Sequence, residues 1–206
     1  MQNSWQILRE NNKQLALCLL FAPRPDRQLL SDIFCLAYEL ENAVQIPSEI
    51  MLAAIRLQWW YDAIENVVAT AEVPLMRALK AHITAERIIQ DDLLALVALW
   101  QRRIEDREVS TNYCFASCWK LAAKVTCGAD FGEIATRIAQ KTMENVTQLQ
   151  EFSSPDLANL RRGGSKTRWL YLAGCLAMRR LETVNDSEDP LLIWRLLFWR
   201  FGIGGS

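Results

Sequence analysis

Residues that break helices are scarce in this chain and fall in clusters. Its 206 residues include 6 Pro and 8 Gly, and between them apolar side chains recur at the three- and four-residue spacing of one helix face. Leu29, Leu30, Ile33, Phe34, Leu36, Ala37 and Leu40 form the clearest such run. The pattern predicts helices over Trp5 to Leu20, stopped by Pro23 and Pro25, and over Arg27 to about Gln45, capped by Asp26. A third helix runs from about Glu49 to Val68 behind an N-cap at Ser48. A short one begins at Glu72-Val73-Pro74 and ends near His82, and another, capped by Thr84, continues to about Ile104. Ser110-Thr111-Asn112 opens a helix that passes Trp119 and Val125 and closes at Gly128. Asp130 to about Gln150 follows, then a loop and cap at Ser153-Ser154-Pro155-Asp156. Gly163-Gly164-Ser165 breaks the chain before Thr167 to Leu181, and a polar hinge at Asn185 to Pro190 precedes an apolar helix, Leu191 to Phe201, with a frayed tail to Ser206. Strand-like alternation, hairpin dipeptides and internal repeats are lacking. The expectation is one all-α domain over residues 1–206, of about eight helices, with 191–206 as C-terminal apolar helix and tail.

Composition narrows the function classes. Hydrophobic residues make up 51% and the net charge is −1, which excludes global disorder. With 23 Lys and Arg against 24 Asp and Glu, and a pI near 5.9, no global field favours nucleic acid. The start, Met1-Gln2-Asn3-Ser4-Trp5, reads as neither signal nor transit peptide. No apolar run approaches the ~18 residues of a membrane span. These features predict a soluble or peripheral protein in a cytosol-like compartment. Six cysteines lack a CxxC pair, and with His82 the sole histidine a Cys/His zinc site is not expected. The thiols read as buried and reduced.

Few residues invite chemistry. Gly163-Gly164-Ser165-Lys166-Thr167 resembles the end of a phosphate loop, but lacks the leading glycine spacing and a preceding strand. His82, in an amphipathic segment, reads as a surface or capping residue and offers no nucleophile–base pair. Paired acids matter more, because helices can hold Mg²⁺ and a diphosphate between carboxylates on one face. Glu39 and Glu41 lie about 200° apart on a helix, and of the acid pairs only Asp62 and Glu65 have the one-face spacing.

The most specific stretch is Ile55-Arg56-Leu57-Gln58-Trp59-Trp60-Tyr61-Asp62-Ala63-Ile64. Ile55, Trp59 and Asp62 share one face, and Arg56, Trp60 and Ala63 a neighbouring one. Two adjacent indoles cannot both enter one core seam, so one must pack against a cavity, another helix or a partner. Arg56 is in reach of Trp60 for cation–π stacking, or of acids beside Asp62.

Together with Leu17-Cys-Leu-Leu-Phe21-Ala-Pro23 and Ile33-Phe34-Cys-Leu-Ala37-Tyr38-Glu-Leu-Glu41, this stretch resembles the N-terminal third of the squalene/phytoene synthase family. Arg56-Leu57-Gln58-Trp59-Trp60 is similar to the branch with the mitochondrial complex I assembly factor and its α-proteobacterial relatives. The resemblance is strong over about residues 10–66 and weaker through Tyr113 to Gly128 and the C-terminal Trp/Arg/Leu helix. It implies an isoprenoid synthase-like helical bundle around a cavity, shortened between about Gly128 and Pro155. Active members hold Mg²⁺ and prenyl diphosphates between two Asp-rich helical motifs. At the first motif this chain has only Glu39 and Glu41, with Asn42 and Ala43 beside them, and the second motif has no match.

A diphosphate, with about three negative charges, is costly to bury without metal or several cations. The expected reading is therefore a protein without catalytic or metal-binding residues and without a cofactor. It acts through a protein partner (a respiratory-complex subunit or assembly protein) or a bound lipid or isoprenoid, and not through nucleic acid. Candidate cavity or binding residues are Glu39, Glu41, Arg56, Gln58, Trp59, Trp60, Asp62 and Glu65; Trp194, Arg195, Phe198, Trp199 and Arg200 are expected to form a partner or membrane surface. The alternative is a Mg²⁺-dependent prenyltransferase.

Overall fold

A computed structural model of the chain describes residues 4–66, 73–106, 109–143, 154–179 and 196–197. Among these residues the protein is all-α. It starts with α1 (Ser4–Asn11) and α2 (Lys13–Leu19), where one helix was expected. Asn12 makes the break: its side chain accepts a 2.9 Å hydrogen bond from the amide of Leu15, capping α2 and competing with continuation of α1. α3 (Arg24–Gln45) begins ahead of Asp26, with Pro23 as N-cap and Pro25 in the first turn, where a missing N–H costs nothing. Asp26 instead pairs with Arg87 at 2.9 Å.

α4 (Ile50–Glu65) has Glu49, not Ser48, at its N-cap. α5 (Pro74–Thr84) contains Thr84 as its final residue, so Thr84 caps no following helix. The chain turns through Glu86, at φ 54°, before α6 (Gln90–Glu105). α7 (Thr111–Thr126) starts where expected, with the Ser110 hydroxyl accepting from the Tyr113 amide at 3.2 Å, and stops at Gly128, whose φ of 115° suits glycine. A 3-10 turn (Ala129–Phe131) leads to α8 (Gly132–Met143). α9 (Ser154–Arg162) begins within Ser153–Asp156, which read as a loop and cap, and α10 (Arg168–Arg179) follows the glycine turn. These ten α-helices exceed the eight expected. Expectations for Asn185 to Pro190 and for the helix over 191–206 lie outside the described residues, apart from Leu196 and Leu197.

The 22-residue α3 is the hub, packing against α1, α2, α4, α5, α6 and α7. Its whole run from Leu29 to Ala37 is buried, Ser31 and Asp32 included. Inside, Phe34 meets Trp119 edge-on at 5.4 Å and Trp169 at 6.3 Å, while Trp100 meets Phe115 at 5.8 Å. Such pairs add about 0.5–1.5 kcal/mol each beyond the area they bury. Small residues, among them Ala122, Ala123, Ala135 and Ala139, are buried where α7 lies along α8. The middle of the bundle is thus filled by indoles and aliphatic side chains.

All six cysteines are free thiols, and all but Cys127 are buried. Burial pushes the Cys35 thiol up to about 12, and those of Cys114 and Cys175 to about 11. Their thiolate populations at neutral pH are negligible, so none is a ready nucleophile.

Candidate functional site

The eight residues singled out around α3 and α4 separate into three groups. Glu39, Arg56, Trp59 and Trp60 come together, joined by Asn42, Ala43 and Ile46, around an open cavity of about 210 Å³ between α3 and α4. The i, i+3 and i, i+7 spacing of Glu39, Asn42 and Ile46 puts them on one side of α3. Trp60 turns inward and is buried, while Trp59 is 43% exposed, their rings edge-to-face at 5.0 Å. That division is what two adjacent indoles require. Partial burial pushes the Glu39 carboxyl up from its ordinary value. Arg56 is exposed and, among the described residues, makes neither the cation–π contact with Trp60 nor an ion pair. Its side chain leaves α4 toward solvent and the cavity rim, while the Trp60 ring lies in the core.

Glu41 belongs to a different group. Its Oε2 accepts from Arg103 Nη1 at 2.5 Å and from Trp100 Nε1 at 3.1 Å, and its Oε1 accepts from Gln45 at 3.0 Å. The carboxylate therefore ties α3 to α6 on the side of α3 away from Glu39. The third group lies on the outside of α4. Gln58 donates to Asp62 Oδ1 at 2.7 Å and accepts from Gln101 of α6 at 3.1 Å. Glu65 ends the helix exposed, its carbonyl and that of Ile64 each accepting from Gln90 at 2.9 Å.

These residues do not suit a magnesium–diphosphate site. Glu39 and Glu41 face apart, both oxygens of Glu41 are engaged, and among the described residues no three His, Cys, Asp or Glu side chains converge. The cavity is also small beside the roughly 300–1,000 Å³ that organic ligands occupy.

His82 is neither a surface nor a capping residue. It is buried on α5, with Nε2 3.0 Å from Oδ2 of the fully buried Asp32, whose Oδ1 accepts from Gln28 at 2.9 Å. An aspartate at the centre of α3's apolar run was the sequence signal for such a pair: inside a core it needs a partner. The Gly163–Lys166 stretch is an exposed turn in which the Thr167 hydroxyl donates to the Leu160 carbonyl at 2.5 Å.

Sequence reasoning missed one surface. Ile46, Ile50, Met51, Leu52, Ile55 and Trp59 are all at least two-fifths exposed, and Ile46 and Trp59 also line the α3–α4 cavity. The signal was there to read: α4 is apolar on both sides, with Ala53, Leu57, Trp60 and Ile64 buried beneath. Trp194, Arg195, Phe198, Trp199 and Arg200 lie outside the described residues, although Leu196 between them is buried in the core. No described helix is long and apolar enough to cross a membrane. Compared with known proteins, the chain matches no family model, no curated relative and no solved structure.

Proposed function

We propose that this chain is a non-catalytic, squalene/phytoene-synthase-like protein that works as an interaction factor, similar in role to an assembly factor for respiratory complex I. The observation that carries this reading is the outward apolar row of α4, Ile50 through Trp59, on a helix whose other side is already buried. Exposed apolar patches of this kind mark interaction sites. Its site of action on this reading is the cytoplasm or the inner face of a membrane. Against a prenyltransferase stand the engagement of Glu41 by Arg103 and Trp100 and the divergence of Glu39. Against a lipid or isoprenoid carrier stand the small α3–α4 cavity and a core filled with side chains.

The test is a photo-crosslinking residue placed at Ile55 in the full chain, expressed in cells. A discrete protein adduct, absent when Trp59→Asp is added, is expected; no adduct overturns the reading. Incubation with farnesyl diphosphate and Mg²⁺ is expected to return the substrate intact. Product formation that disappears in Glu41→Ala would establish the enzyme instead.

A further inference from the structure

Leu52, Ile55 and Trp59 are spaced by three and four residues, so they form one line along the outside of α4, with Met51 beside it. The same spacing carries the line to Asp62. A line of this spacing is what a second helix packs against by ridges and grooves. Beside the seam, the cavity walled by Ile46, Trp59 and Trp60 is a hole for a single anchoring side chain. Charges carried by α4 and its N-cap are unequal: Glu49, Asp62 and Glu65 are exposed against one base, Arg56. Glu39 adds a further carboxyl in the cavity wall.

Resting on the reading of this chain as an interaction factor, we propose that the outer face of α4 receives a basic amphipathic helix of a partner protein, its apolar stripe on Leu52, Ile55 and Trp59 and its Lys or Arg flanks toward Glu49, Asp62 and Glu65. Charge argues against the other occupants. In a second copy packed antiparallel about Ile55, Asp62 meets Ser48 and Glu49 of its mate, and in a parallel pair Asp62 meets Asp62. Each sets acid against acid, where like charges across an interface are penalised. An anionic bilayer is repelled by the same surplus. A cationic helix meets an apolar seam and opposite charge together, the helix-in-groove mode.

Two synthetic helical peptides of about five turns, identical in their Leu stripe but flanked by Lys in one and Glu in the other, test this with the full chain. Binding is read from anisotropy of a label on the peptide. The Lys peptide is expected to bind about tenfold tighter or more at low salt, with the gap narrowing as salt screens the pairs. Ile55→Ser and Trp59→Ser are expected to abolish that binding, the first with an unchanged melting curve and the second with a small loss from its edge contact with Trp60. Equal affinity for the two peptides overturns the proposal, as does binding that survives Trp59→Ser. A dimer in sedimentation that Ile55→Ser dissociates, or flotation on phosphatidylglycerol vesicles that it abolishes, overturns it in favour of those occupants. If the peptides fail while the Ile55 crosslink persists, the charge argument falls and the interaction reading stands. If both fail, both fall.

Discussion

Asp32 shows how much a single buried carboxylate demands of its neighbours. It is fully buried and held by His82 at 3.0 Å and Gln28 at 2.9 Å, across the α3–α5 contact. His82→Ala leaves that carboxylate short of a partner in the core, and is expected to destabilise the fold by about 3 kcal/mol or more, measured by urea unfolding. Asp32→Asn in the same background removes the charge and should recover part of the loss. Glu39 predicts a pH effect of the less familiar sign. Burial raises its carboxyl in the folded chain, so the native state holds the proton more tightly than the unfolded one. Its contribution is most favourable below the unfolded value and is lost as pH rises through the folded value. Glu39→Gln should therefore gain in melting temperature relative to wild type at neutral pH and show no gain at acid pH. The apolar run around Asp32 was legible in the sequence. Its partner was not, because fifty residues separate Asp32 from His82 and only the tertiary fold joins them.

Among the elements, α4 carries the sharpest contrast. Leu57 is fully buried and Ile55, two residues earlier, is 59% exposed. Leu57→Ala should cost about 2–5 kcal/mol, the range for truncating a buried leucine. Ile55→Ser should change stability by less than about 0.5 kcal/mol, as an exposed site does. Paired thermal melts of the two variants check both values. Helix existence was legible from spacing and punctuation, and the starts of α5 and α7 were read correctly because Pro74 and Ser110 act locally. Misplaced boundaries arose where neighbours compete. Asn12 split a continuous pattern, Thr84 was absorbed by the helix before it, and Ser154 begins a helix within a stretch that looked like a loop. The two-faced character of α4 escaped notice because periodicity identifies a helix by its one apolar side, and this helix has two.

At the scale of the whole molecule, the core is continuous around α3 and lined with thiols. Cys127 alone among the six is partly exposed. Under native conditions a thiol reagent such as iodoacetamide should modify Cys127 first, with the other five reacting only on unfolding; early labelling of Cys18 or Cys118 in peptide mapping would contradict the packing described. An all-α architecture followed from composition and the rarity of Gly and Pro. What the sequence did not convey was the division of its candidate residues, since Glu39, Glu41 and Asp62 lie within 24 positions yet point to a cavity, to α6 and to solvent. Side-chain destinations on neighbouring helices depend on how those helices cross, and spacing alone is silent on that.

The hydrogen bonds on Glu41 have a consequence for what position 41 can carry. An aspartate at position 41 is one methylene shorter, too short to hold Arg103 and Trp100 across the gap that glutamate bridges. Glu41→Asp would strand a guanidinium and an indole N–H in a half-dry crevice. The carboxylate works as a girder between α3 and α6, and the fold fixes its length as well as its charge.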